Sequence, residues 1–234
     1  MRDWRSYWAG RETGADDDLD TALREVGKTV LGTPISAAQL DAIATSILAA
    51  LGLDASDRVA DLGCGNGLVT ARIADRVAHA VGIDMSGTLI AAARRRHGGS
   101  GAEFALGDLT RLDFTAPPLV GIGKAYLYEV AQHLDADEFA GLLEAAMLKG
   151  GVRRLFSGSM PDAARLEAFY DTPERMALYR RNLASGREQI GHWWGLDELE
   201  RIAGQLGLAL EIRQQAPILH TAHYRFDALF HATR

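Results

Sequence analysis

The chain has one cysteine, Cys64, in 234 residues. That excludes an intrachain disulfide and a cysteine-built zinc cluster. It also lacks a basic excess: 25 Lys and Arg stand against 31 Asp and Glu, a formal net charge of −6. A phosphate backbone wants a positive face, so nucleic acid is disfavoured as a partner. The short basic clusters Arg94-Arg95-Arg96, Arg153-Arg154 and Arg180-Arg181 read as solvated surface. No apolar run reaches the roughly 18 residues of a membrane span. The first residues carry charge at Arg2, Asp3 and Arg5 and have no apolar core of a secretory signal, so a cytoplasmic location is expected. Aromatics make up 7% of the chain, and they gather near the N-terminus (Trp4, Tyr7, Trp8) and at His192-Trp193-Trp194.

What is present is an alternation of apolar runs and helical patterns. Ser36 can cap a helix carrying Leu40, Ile43, Ile47 and Leu51 at helical spacing, stopped by Gly52. Strands are predicted near 57–62, 79–83, 102–106, 121–128 and 152–157, with helices near 67–77, 86–96 and 135–148. That rhythm predicts an α/β fold with a mainly parallel sheet covered on both faces. Residues 160–204 interrupt it with a helical stretch, in which Thr172-Pro173 can open a helix and another begins near Leu196. Leu208–Arg213 and Tyr224–His231 read as a closing pair of strands.

The densest signal is Val59-Ala-Asp-Leu-Gly-Cys-Gly-Asn-Gly67, a strand that enters a glycine turn ahead of a helix. Glycines at 63, 65 and 67 allow backbone to approach a ligand where a Cβ would collide. Asp84 ends the next apolar run, where a doubly wound sheet offers a carboxylate to ribose hydroxyls. The turn is not the dinucleotide fingerprint G-x-G-x-x-G, because Leu68 stands at the third glycine position. Asp61 beside the turn opposes a phosphate and suits a cationic ligand. Val26-Gly-Lys-Thr-Val30 is not a phosphate loop, since Ala22 stands where its first glycine belongs. Gly27-Lys28-Thr29 is instead expected in a loop bordering the site.

The pattern D-x-G-x-G-x-G with a following strand-end acid resembles the class I S-adenosylmethionine-dependent methyltransferases, of the bacterial small-molecule type. The resemblance is strong over 59–67 and 82–86 and weaker at 107–109 and 126–134. It implies a Rossmann-like, doubly wound sheet of seven strands, mostly parallel with an antiparallel last strand. It also implies one domain: a helical N-terminal flap (1–52), a cofactor-binding core (53–158), a helical acceptor lid (159–205) and closing strands (206–234). S-adenosylmethionine is the implied cofactor. Its expected contacts are the flap residue Trp8 and the turn residues Asp61, Gly63, Cys64, Gly65 and Asn66. Asp84 would hold the ribose, Met85 would pack on adenine, and Asp108 with Leu109 would meet the adenine edge. Tyr126 faces the sulfonium or packs in the core.

The resemblance makes His133 the candidate general base, against a structural helix-start histidine. Tyr128, His192 and Trp193 are candidate acceptor contacts. Cys64 reads as a small turn residue and not as a nucleophile. His220-x-x-His223 lacks neighbouring carboxylates or cysteines, so no metal site is expected. The expected activity is methyl transfer to O, N or C of a small metabolite by a monomer or homodimer, with no nucleic-acid or membrane partner. Two other readings are a nicotinamide-dependent oxidoreductase, which Leu68 and Asp61 oppose, and a non-catalytic subunit that retains the fold.

Overall fold

The computed structural model describes residues 3–14, 18–99 and 101–233. Arg2, and Asp16 and Asp17 of an acidic run, lie outside the described residues. Two short helices, α1 (Trp4–Ala9) and α2 (Leu19–Glu25), precede a two-stranded hairpin of β1 (Thr29–Val30) and β2 (Thr33–Pro34). The hairpin strands are too short to show in the residue pattern.

Helix α3 (Ala37–Leu51) begins on Ser36, whose hydroxyl accepts from Gln39 N at 3.2 Å, and ends at Gly52 in the left-handed conformation. Its apolar stripe of Leu40, Ile43, Ile47 and Leu51 is buried, as the spacing requires. The chain then alternates β3 (Arg58–Leu62), α4 (Leu68–Ala74), β4 (His79–Asp84), α5 (Gly87–His97), β5 (Ala102–Leu106) and β6 (Lys124–Tyr128). Helix α6 (Ala136–Leu143) follows, with a wider π-type turn over Glu144–Lys149, and then β7 (Arg154–Pro161).

The helical stretch comprises α7 (Leu166–Phe169), α8 (Pro173–Ala184) and α9 (Leu196–Leu206). These are unlike in packing. Helix α8 buries no residue, whereas α9 buries Leu199, Ile202 and Ala203 against the sheet. Two strands close the chain, β8 (Leu208–Gln214) and β9 (Arg225–Ala232).

The seven-stranded sheet has the order β5-β4-β3-β6-β7-β9-β8. The first five strands in that order are parallel neighbours, and β9 runs antiparallel between β7 and β8. The last strand in the chain is therefore the antiparallel one, and it lies inside the sheet with β8 at the edge. Strand β6 starts at Lys124, later than 121. Lys124 Nζ sits at the far end of the strand from the glycine turn, bonded to Gly52 O at 2.7 Å and Asp57 at 2.8 Å. Strand β7 runs on to Pro161 through an irregularity between Ser157 and Met160.

Apolar clusters cover both sheet faces. One joins α6 and α9 through Phe139, Leu142, Leu199 and Ile202. The other joins α2, α3 and α4 through Leu23, Ile43 and Ile73.

Arg94 and Arg95 of the basic cluster in α5 are exposed as expected, but Arg96 is not solvated surface. The Arg96 side chain is buried, and its Nη2 donates to Glu25 Oε1 at 2.9 Å. Arg94 donates through Nε to Phe104 O at 3.0 Å. Both charges sit in the last turn of α5, and Glu25 of α2 draws Arg96 inward.

Candidate active site

Strand order reverses between β4-β3 and β6-β7, so the carboxyl ends of β3 and β6 diverge into a crevice. The glycine turn follows β3 into that crevice. Gly63, Gly65 and Gly67 all adopt positive φ (85°, 56° and 81°), a backbone that β-carbon residues avoid. A Cβ on Gly65 would lie 2.8 Å from Val26, and one on Gly67 would lie 2.8 Å from Phe104. The glycines are thus required by turn geometry and by close protein packing, beyond any approach of a ligand.

A narrow cavity of ≈ 130 Å³ lies against the turn. Trp8, Gly63, Cys64, Gly65, Asn66, Asp84, Met85, Asp108, Leu109 and Tyr128 all line it. Asp84 accepts from Gly65 N and from Ser86 N, each at 2.9 Å. Each oxygen takes one of these bonds, so each keeps acceptor capacity for a hydroxyl. Burial pushes the Asp84 carboxyl above its ordinary range, and the Ser86 and Gly65 amides oppose that. Asp108 caps the turn at Thr110 N and meets Arg5 Nη1 of α1 at 2.8 Å. Although burial acts the other way, Thr110 and Arg5 hold its carboxyl below the usual range. Arg5 also reaches Glu138 at 2.7 Å, so α1 is latched across the cavity.

Two lining residues have other work. Asn66 is fully buried, and its amide donates to Ala22 O at 2.8 Å and Glu25 Oε2 at 2.7 Å, fastening α2 to the turn. Burial pushes the Cys64 thiol well up, which removes it as a nucleophile.

Asp61 and Tyr126 do not reach the cavity. They face each other in the β3–β6 register, below the strand ends. Tyr126 is fully buried in the cluster under α3 and α4, so the choice between sulfonium and core falls to the core. Asp61 accepts from the Thr70 hydroxyl of α4 at 2.6 Å. Burial pushes its carboxyl up to about 6, with Thr70 opposing. The expected direct role of Asp61 beside the ligand is therefore replaced by a bond to α4. Tyr128 lies two residues further along β6, about 6–7 Å higher, and does reach the cavity.

A second, wider cavity of ≈ 520 Å³ adjoins the first. The two share Trp4, Trp8, Val26, Glu129 and His133. Gly27 and Thr29 line the wider cavity and Lys28 the narrower one. Nothing in the local sequence announces the part-buried pair at this junction: Lys28 Nζ lies 2.8 Å from Glu129 Oε2. Burial raises the Glu129 carboxyl, but Lys28 and then Arg225 outweigh it and hold it at about 2. Glu129 also has a left-handed backbone, φ 60°, just past the end of β6. The residues are 101 apart in sequence. An acid directly after a strand end was the available signal for Glu129 alone.

His133 stands at the same junction, its ring 4.4 Å from Trp4 and 5.6 Å from Trp8. Burial and then Arg225 lower its pKa to about 3. It is neutral at pH 7 and a weak proton acceptor, which counts against the general-base role. His192 and Trp193 line neither cavity. His192 Nε2 lies 2.8 Å from Glu198 of α9, and Trp193 packs toward Phe169, Tyr170 and Tyr224. Trp194 is fully buried core.

Residues 59–147, the β3-to-α6 unit that builds this crevice, match the methyltransferase domain family. No curated protein matches the sequence. Among solved structures, the chain is similar to magnesium protoporphyrin IX methyltransferase (ChlM) from Synechocystis PCC 6803, solved with bound SAM. Identity is 15%, the TM-score is 0.61, and the match covers 100% of this chain and 98% of that one. The DhpI–SAH complex is 15% identical with a TM-score of 0.60, covering 99% and 97% of the two chains. The methyltransferase domain of bacterial CtHen1 is 17% identical with a TM-score of 0.59, covering 82% and 99%. At such identities the likeness to these proteins is one of fold. Among the chain's described residues no helix is long and apolar enough to cross a membrane.

Proposed function

We propose that the protein transfers a methyl group from S-adenosylmethionine to a small-molecule acceptor. The observation that carries this is the pair of adjoining cavities, one on the glycine turn and Asp84, the other aromatic, meeting at Glu129 and His133. The neighbours solved with SAM or SAH support the choice of nucleoside.

The donor set fits that cofactor. Asp84 has free lone pairs for two ribose hydroxyls. Met85, Leu109 and Leu134 offer apolar surface for a purine, and Asp108 an acceptor for its amino group. Glu129 and Lys28 together match the two charges of an amino-acid group. When bound, the cofactor supplies a sulfonium methyl, an electrophile whose leaving group departs neutral.

The chain's own part is then mainly positional. The shared wall of Trp4, Trp8 and Val26 closes the reacting centre to water and fixes the approach of the acceptor. His133 holds the ring of Trp4 and orients the wall without moving a proton. Acceptors whose nucleophilic atom needs no deprotonation suit this arrangement best. The aromatic lining of the second cavity and the acidic whole-chain charge favour a compact acceptor over RNA, and a cytoplasmic monomer or homodimer is the reading that goes with it.

The test is label transfer. The protein is incubated with methyl-labelled S-adenosylmethionine and a bacterial extract separated into RNA, protein and small-molecule pools. Label in the small-molecule pool is the expected result. Label confined to RNA or protein overturns the acceptor class.

A further inference from the structure

The wider cavity has a buried positive charge that acts on Glu129, a carboxylate already bound to Lys28, but makes no ion pair of its own. Arg225, at the start of β9, is 4% exposed. Its Nη1 donates to Gln132 Oε1 at 3.0 Å and to Ser159 O at 2.6 Å, both neutral acceptors. Its Nε has no hydrogen-bond partner, and Arg225 forms no ion pair, among the described residues. A buried guanidinium in that state is costly unless something anionic joins it.

Nothing else on the wall supplies the anion. Glu129 is the one carboxylate lining the cavity among the described residues, and Lys28 already holds it at 2.8 Å. The other charged group at the wall is Arg175 of α8, which is exposed, pairs with Asp171 and lies 5.2 Å over the Phe169 ring. His220 is held neutral more firmly than an ordinary histidine, by burial first. Around these groups the wall is aromatic: Trp4, Phe169 and Tyr224, with Arg225 itself 5.0 Å over the Tyr224 ring.

We propose that the acceptor is an oxyanion on an apolar body, with a carboxylate or phosphoryl group seated on Arg225 and the body lying among Trp4, Phe169 and Tyr224. This rests on the reading of the wider cavity as the acceptor site. The planar fork of a guanidinium matches both oxyanions in two-point fashion. A cavity of ≈ 520 Å³ is in the range of small-ligand sites, about 300–1,000 Å³. Discrimination is built in, because a neutral isostere leaves the buried charge unmatched.

The experiment uses the full chain saturated with S-adenosylhomocysteine. Phenylacetate, benzylphosphonate and phenylacetamide are titrated by ligand-observed NMR near neutral pH. At least one of the two anions is expected to bind tenfold or more tightly than the amide, and whichever anion wins identifies the headgroup. Arg225→Met should erase that preference and Arg225→Lys should retain part of it. Equal affinity for anion and amide, no binding of either anion at millimolar concentration, or a preference that survives Arg225→Met overturns the proposal. Should the Met variant not fold, the wild-type comparison of anion with amide decides alone. Failure to bind S-adenosylhomocysteine would instead strike the methyltransferase reading, and that is seen before any acceptor probe is added.

Discussion

Asp84 and Asp61 are both acids at the ends of neighbouring parallel strands, yet only one meets the cavity. Asp84 is the last residue of β4 and its carboxylate turns up to Gly65 N. Asp61 precedes the last residue of β3 and turns to Thr70. Asp61 stands opposite Gly82 in the register, so two residues of rise, about 6–7 Å, separate a structural acid from a ligand-facing one on the same face of the sheet. Replacing Asp84 by Ala should weaken S-adenosylhomocysteine binding by about 1.5–3 kcal/mol, the scale of a charged hydrogen-bonding group, in a calorimetric titration. Undiminished affinity would place the ribose elsewhere.

His133 gives a second prediction at this scale. Its folded-state pKa of about 3 lies below the ordinary 6.5. The unfolded chain therefore takes up this proton more readily than the fold. The contribution of His133 to stability is complete above about pH 6.5 and is lost as pH falls toward about 3. Between pH 7 and about pH 4.5 the loss is about 2–3 kcal/mol. His133→Asn should remove that share, so urea unfolding at the two pH values should show a smaller acid loss in the variant. An identical loss in both proteins would mean that the imidazole titrates normally.

Among the elements, the parallel core was the most legible part of the sequence. Apolar runs marked β3, β4 and β5 within a residue or so, and Ser36 and Gly52 bounded α3. Short-range chemistry fixes those features, so short windows reveal them. Contacts made at long range were not legible. Lys28–Glu129 and Arg96–Glu25 join residues 101 and 71 apart, and no local pattern announces which charge is drawn inward. The run Arg94-Arg95-Arg96 looks like a solvated helix end until α2 brings Glu25 onto it. His192 and Trp193 likewise looked like a cavity wall, but the packing of α9 turns His192 to Glu198.

The Arg96–Glu25 pair is what fixes α2, and through Asn66 the glycine turn, to α5. Burial raises the Glu25 carboxyl, and Arg96 and Asn66 bring it below the ordinary value. Arg96→Met leaves that carboxylate buried without its cation, at a cost of about 3–5 kcal/mol. Hydrogen exchange should show α2 losing protection while the α3 amides stay protected. Equal loss in both helices would show that α2 has no separate fastening.

For the whole molecule, the sheet order brings the cavity-lining acids to one edge of the crevice. The turn after β3, Asp84 at the end of β4, Asp108 after β5 and Glu129 after β6 converge there because parallel strands end on the same side. The N-terminal segment, whose aromatic cluster was visible in the sequence, closes that edge through Trp4, Trp8 and the Arg5 latch. The proposed function requires this crevice to hold a sulfonium nucleoside. Isothermal titration of the full chain with S-adenosylhomocysteine and, separately, with NAD tests it most directly. Saturable one-to-one heat with the first and none with the second is expected; saturation by NAD, or silence with S-adenosylhomocysteine, would rule out a sulfonium-nucleoside crevice.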